Sequence, residues 1–243
     1  MVKQRVITAI GLIVPLVAAV IWLPDVWWAV VLSLLVMLAA WEWAAIAGRP
    51  AATSRLAFVV VTAVAMAGLY ILPSLAAVSL VACSLFAWLA GLVLVIQHQS
   101  RRPFPQLGVL RLALLGWLLL LPAWLALIHL RGSVHDGEYW VLFLFVLIWS
   151  ADSVAFFTGR AWGRHKLAAA VSPGKTLQGL AGALAAGLVV AIAMVVTAPV
   201  TAMGAGLAVG LIALSLITVL MSVLGDLLES LFKRMAGLKD SGN

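Results

Sequence analysis

The sequence predicts an all-α fold, a polytopic transmembrane helix bundle of about eight spans in this chain. Of its 243 residues, 65% are hydrophobic and 9% charged, and the mean hydropathy is +1.21. That balance lies outside the range of soluble globular domains. Apolar runs fall roughly at residues 6–23, 26–47, 56–72, 75–96, 112–130, 139–158, 177–198 and 203–224. Each is close to the roughly 20 residues that cross a bilayer core. Too little chain remains between them for a separate soluble domain, so a site must be built from helix ends and short loops.

The placement of charge orients these spans. A net charge of +7 could suggest a nucleic-acid surface, but the bases are scattered one or a few per loop. Lys3 and Arg5 precede the first span, and Arg49 and Arg55 join the second and third. Arg101, Arg102 and Arg111 lie between the fourth and fifth. Arg160, Arg164, Lys166 and Lys175 lie between the sixth and seventh, and Lys233, Arg234 and Lys239 follow the eighth. The alternate loops hold Arg131 beside Asp25, Asp136 and Glu138. This asymmetry predicts a multi-pass protein of the inner (cytoplasmic) membrane, with both termini and the basic loops in the cytoplasm. No nucleic-acid partner is expected.

Residues 1–130 read as an N-terminal membrane scaffold of five spans. A basic start followed by an apolar run resembles a signal peptide, but with seven spans after it an uncleaved first helix is expected. Trp22, Trp27, Trp28 and Trp124 stand near span ends and are expected at membrane interfaces. Cys83, alone in an apolar run, is expected to be a packing residue. Glu42, between Trp41 and Trp43, would cost about 2.5–3.5 kcal/mol to insert. It should face protein or water with a partner, either pairing with an Arg or supporting a site. The loop Gln97–Gln106 is polar and suits anionic headgroups. His98 within it has no His or Cys at ligand spacing and reads as solvated.

Residues 131–243 read as the catalytic region: three spans, a cytoplasmic loop and a C-terminal amphipathic helix. Asp152 falls about 9 Å inside the cytoplasmic end of the sixth span by helical rise. An acid there is a functional candidate; the alternative is an Asp–Arg pair joining two helices. The loop after it carries Arg160, Arg164, His165 and Lys166, then Ser172-Pro173-Gly174-Lys175-Thr176. Gly174-Lys175-Thr176 resembles part of a P-loop, but that motif requires Gly where Ala169 stands, and a preceding strand. Ser172 suits a helix N-cap with Pro173 at the first helical position. The seventh span would then point its positive end at the cytoplasm beside Lys175 and Thr176, an arrangement suited to phosphate. Gly179, Ala183 and Gly187 recur every four residues, as do Gly206 and Gly210, and are assigned to close helix packing.

The eighth span runs into Ser222–Asp240. On a helix, Ser222, Asp226, Glu229, Ser230 and Lys233 share one face, and Leu224, Leu227, Leu228, Leu231, Phe232 and Met235 fill the other. A surface-lying amphipathic helix has the same periodicity. The acids at the span's end and the following Lys239-Asp240 pair argue instead for a site. Acids without His or Cys suit Mg²⁺, held by one or two carboxylates and substrate phosphates. Bases around such an ion suit phosphoryl or nucleotidyl transfer. At headgroup level a phosphate-bearing lipid could meet a soluble nucleotide.

Ser222-x2-Gly225-Asp226-Leu227-x-Glu229-Ser230-x2-Lys233-Arg234-x4-Lys239-Asp240-Ser241-Gly242 resembles the signature of the phosphatidate cytidylyltransferase (CDP-diacylglycerol synthase) family. Asp152-x2-Ala155-Phe156-x2-Gly159-Arg160-x2-Gly163-Arg164-His165-Lys166, with Ser172-Pro173-x-Lys175-Thr176-x2-Gly179, is similar to that family's other motif. The resemblance implies that CTP and phosphatidic acid give CDP-diacylglycerol and pyrophosphate, in phospholipid biosynthesis. It implies Asp226, Lys239, Asp240 and Glu229 as catalytic residues. Ser172, Lys175, Thr176, Arg160, Arg164, Lys166, Lys233, Arg234 and Ser230 would bind substrate, and Asp226, Asp240 and Asp152 would hold metal. The expected cofactor is Mg²⁺, alone or with a second cation. The expected partners are CTP, phosphatidic acid, the bilayer and a second copy of the chain in a homodimer.

Two departures from the family pattern bear on this. Gln178 stands where many relatives carry Glu. The family also continues, beyond the position of Asn243, into a His-Gly-Gly and an Asp-Arg-x-x-Asp element, so a chain truncated in this way is expected to be weakly active or inactive. A CTP-dependent lipid kinase and a membrane transporter are the alternatives. A transporter would place its acids near the midplane or on repeated halves, whereas Asp152, Asp226 and Glu42 fall toward one side.

Overall fold

The computed structural model describes residues 2–49, 51–71, 74–100, 107–132, 135–197 and 205–237. Among them are eight helices and one short hairpin. The helices are α1 (Val2–Trp22), α2 (Asp25–Ile46), α3 (Ala52–Ile71), α4 (Ser74–Gln99), α5 (Val109–Gly132), α6 (Gly137–Trp162), α7 (Leu177–Thr197) and α8 (Ala205–Met235). The hairpin strands β1 (Lys166–Ala168) and β2 (Ser172–Thr176) lie between α6 and α7. The seven helices α2–α8 are long and apolar enough to cross a membrane, and α1 adds an apolar stretch at Ile13–Trp22. The bundle expected from hydropathy is therefore present. Its helices differ from the apolar runs mainly by extending into polar sequence. α6 runs four residues past 158, to Trp162, with Thr158 Oγ1 donating to the Val154 carbonyl at 2.7 Å. Asp152 consequently stands about 15 Å from the helix end, not about 9 Å.

The chain divides into two compact units: Met1–Ala87 with Gly108–Leu142, and Trp88–Leu107 with Phe143–Asn243. In the first, α2 packs on α3 and α5 around Ala40, Ala44, Phe58 and Ala113. The indole of Trp43 fills the space that Gly116 leaves, and its Nε1 donates to the Leu112 carbonyl at 2.8 Å. Trp117 stacks on Phe58 at 5.4 Å and donates to Thr62 Oγ1 at 2.9 Å. Lipid offers buried polar atoms no partner, so these bonds within the protein satisfy them; the buried Trp28 Nε1 is the exception among the described residues.

Several side chains in this unit bear on the expectations. Trp28 and Trp124 are buried within the protein, Trp124 donating to Ser33 Oγ at 3.0 Å, while Trp22 and Trp27 are exposed. Cys83 is exposed and does not pack in a core, because it falls on the outward stripe of α4. Glu42 is also exposed, and no ion pair among the described residues involves it.

Arg131 carries the densest polar contacts of the first unit. Its Nε donates to the Val20 carbonyl at 2.9 Å, Nη2 donates to the Leu23 carbonyl, and Nη1 pairs with Asp25. Glu138 is 3.6 Å from Nη2, and the guanidinium lies 5.9 Å from the centroid of the Trp28 ring. The last carbonyls of α1 are thereby satisfied by a side chain near the end of α5.

In the second unit α7 packs along α8, with Leu147, Ala151, Ala183 and Val219 as a core cluster. Glycines of α7 permit close approach to α8 at Gly187 and to α6 at Gly179 and Gly182. A Cβ at Gly187 would come within 2.8 Å of Val219 Cγ2, and one at Gly182 would collide with Thr158. Gly206 and Gly210 do not share that role: nothing lies within 4 Å of where their Cβ atoms would stand. On α8, Leu224, Leu227, Leu228, Leu231 and Phe232 are buried, as the periodicity of the segment requires, while Met235 is 37% exposed. Leu228 fills the space beside Gly91 of α4, and Gly225 faces the Trp88 ring.

Candidate functional site

The segment between α6 and α7 departs most from its sequence expectation. Ser172-Pro173 does not start a helix. Ser172–Thr176 is an extended strand paired antiparallel with β1, Lys166 opposite Thr176 and Ala168 opposite Ser172. Proline lacks the N–H that a ladder uses, and it is tolerated here because a two-stranded ribbon has only edge strands. Val171 N closes the turn on the Ala168 carbonyl at 3.1 Å.

The N-cap is Thr176 instead. Its Oγ1 accepts from Gly179 N at 3.1 Å, three residues on, while Leu177 N donates to the His165 carbonyl at 2.9 Å. The hydroxyl is the favoured capping chemistry, and its setting admits little else. Cβ atoms built on Gly159, Gly163 or Gly179 would each press on Thr176. The positive end of α7 thus remains beside Lys175, four residues later than Ser172 suggested.

Lys175 reaches from β2 to α8. Its Nζ is 2.6 Å from Asp226 Oδ2 and 3.5 Å from the Val223 carbonyl. Side-chain exposure is 25% for the lysine and 49% for the aspartate. Both line a cavity of about 500 Å³, together with Asp152, Gly159, Arg160 and Thr176. Asp152 lies within electrostatic reach of Asp226 and of Lys175. The Asp–Arg pair weighed for Asp152 is not formed: no ion pair among the described residues includes it. Arg160 also borders a second cavity of about 430 Å³, lined by Arg164, Gly163 and Gln178.

Other candidate residues are placed elsewhere. Glu229 pairs with Lys233 one turn along α8, at 2.5 Å, and neither lines the cavity. Ser230, Arg234, Ser172 and Lys166 are likewise outside its lining. Lys239 and Asp240 lie outside the described residues. Gln178, noted in the sequence only for not being Glu, binds the loop through two backbone N–H groups and the His165 ring. Its place two residues after the cap was legible only once Thr176 was known to be that cap.

Among the described residues no three His, Cys, Asp or Glu side chains cluster closely enough to hold a metal by themselves. Two carboxylates on one cavity wall, Asp152 and Asp226, are nevertheless the donor set that suits a hard cation completing its shell with water and substrate phosphates. Lys175 and Arg160 on the same lining supply charge for anionic oxygens.

Helices long and apolar enough to cross a membrane define a polytopic membrane protein, and one cavity in it brings two acids and two bases together. The chain belongs to the cytidylyltransferase family, whose pattern matches residues 3–243. It is 41% identical over 244 residues to a phosphatidate cytidylyltransferase of Pseudomonas aeruginosa, covering all of this chain and 88% of that one. A phosphatidate cytidylyltransferase of Haemophilus influenzae is 35% identical over 260 residues, covering 99% and 89%. One of Brucella abortus is 32% identical over 152 residues, covering 63% and 52%. No solved structure matches the chain.

Proposed function

We propose that the chain is a nucleotidyltransferase that makes CDP-diacylglycerol and pyrophosphate from CTP and phosphatidic acid. Family membership and full-length likeness to two proteins of that name support the reading. The structural observation that carries it is the Lys175–Asp226 pair on the wall of a cavity shared with Asp152 and Arg160. A phosphatidate oxygen attacks the α-phosphorus of CTP in line. A new P–O bond forms as the bond to the β-phosphate bridging oxygen breaks, and the electron pair leaves with pyrophosphate. Lys175 and Arg160 hold phosphate oxygens, with Arg164 at the adjoining cavity. Asp226 and Asp152 would hold Mg²⁺, which would supply positive charge for the leaving group. Lys239, Asp240, Arg234, Ser230, Ser172 and Lys166 are proposed from the family signature, whereas Glu229 and Lys233 pair with each other outside the cavity lining; Thr176, whose hydroxyl caps α7, lines the cavity.

We further propose that the site faces the cytoplasm from the inner membrane, that both termini lie on that side, and that two copies pair as a homodimer. The excess of Lys and Arg in alternate loops supports the orientation. The purified chain is expected to bind CTP in the presence of Mg²⁺, and any pyrophosphate and CDP-diacylglycerol it forms should require CTP, phosphatidate and Mg²⁺ together. Release of CDP with a phosphorylated lipid would instead reveal a CTP-dependent kinase. No binding of CTP in the presence of Mg²⁺ would overturn the proposal.

A further inference from the structure

Gln178 is the second residue of α7, and its side chain turns back onto the segment that leaves α6. Its Oε1 accepts from the backbone N–H groups of Arg164 at 3.1 Å and His165 at 3.2 Å. Its Nε2 stands 3.1 Å from His165 Nδ1. An oxygen that accepts from two N–H groups fixes which way the amide points, so the group facing the imidazole is the NH₂. An amide NH₂ donates and cannot accept. His165 Nδ1 is therefore the acceptor, and the neutral ring carries its proton on Nε2.

These three bonds grip the chain within the run Arg160–Lys166. Arg160 is common to both cavities, and Arg164 and Gln178 line the second. We propose that Gln178 is a positioning residue for nucleotide binding: it sets the segment so that Arg160 and Arg164 converge on the phosphate chain of the nucleotide, with His165 held as the Nε2–H tautomer. The assignment rests on the cytidylyltransferase reading and adds a residue that does not itself carry charge. A second glutamine provides a contrast. Gln99 Oε1 accepts from Ala170 N at 2.9 Å, holding the turn of the same hairpin while touching none of its bases.

The test combines kinetics with ¹⁵N-histidine NMR, the His165 resonance being assigned with His165→Asn. Gln178→Ala removes the side-chain acceptor shared by two backbone N–H groups and is expected to raise KM for CTP about fivefold, the equivalent of about 1 kcal/mol. kcat and KM for phosphatidate should stay within about twofold, and Gln99→Ala should leave KM for CTP within about twofold. The unmutated protein should show the Nε2–H tautomer, and Gln178→Glu, which offers an acceptor where the amide donated, should move the proton to Nδ1. An Nδ1–H tautomer in the unmutated protein overturns the proposal. So does an unchanged KM in Gln178→Ala, or an equal rise in Gln99→Ala, which would mark general loosening of the hairpin. If the unmutated chain binds no CTP, the enzymatic reading fails and the nucleotide role with it. The NMR result still decides separately whether the amide tether exists.

Discussion

Arg131 in the first unit and Lys175 in the second are both cations paired with an aspartate from a distant part of the chain, yet their surroundings differ. The Arg131 side chain is 4% exposed, and every part of its guanidinium group meets a carbonyl or carboxylate of its own unit. The guanidinium is thus closed off, although its partner Asp25 is 66% exposed at the edge of a separate cavity of about 240 Å³. Lys175 is 25% exposed and Asp226 49%, on the wall of a cavity of about 500 Å³ with Asp152 and Arg160 beside them. Their remaining donor and acceptor positions face space that a ligand can fill. Saturation of hydrogen-bonding capacity, not the presence of charge, separates a structural ion pair from a candidate site.

Three substitutions test that contrast, in falling order of effect. Asp226→Asn keeps the shape and removes the charge. It should lower kcat/KM for CTP by about 10²–10³-fold, the scale seen when a group that stabilises developing charge is lost. Thermal unfolding in detergent should hardly change, and an active Asp226→Asn enzyme would remove the site from this cavity. Arg131→Met should do the reverse. It leaves the Val20 and Leu23 carbonyls without their donor and should cost about 2–3 kcal/mol of stability. The activity of the protein that remains folded should be unchanged; loss of turnover without loss of stability would break the comparison. Glu229→Gln is the mildest, since an exposed i,i+4 pair contributes about 0.3–0.5 kcal/mol. Activity should stay within about twofold, and a fall comparable to that of Asp226→Asn would return Glu229 to the catalytic set.

The family signature treated Asp226, Glu229 and Lys233 as one file on a helix face, and that file exists. Only Asp226 reaches the cavity, because Lys175 arrives from β2 at that level of α8, while Glu229 and Lys233 neutralise each other one turn on. The Ser172-Pro173 pair has the chemistry of a helix start, and local preference alone favours it. The cross-strand pairing with Lys166–Ala168 and the cap at Thr176 override that preference. Gly206 and Gly179 look alike in sequence, but only Gly179 has a neighbouring helix backbone, the Ala155 carbonyl, 3.0 Å from where a Cβ would be.

By itself the sequence determined the bundle, its spans and the amphipathic face of α8. Those follow from hydropathy and helical period, which act over a few turns of one segment. Tertiary structure decided which charges are closed off and which are offered to a ligand. Arg131 meets Asp25 across 106 positions and Lys175 meets Asp226 across 51. No local pattern specifies such partners; they are set by how the helices pack.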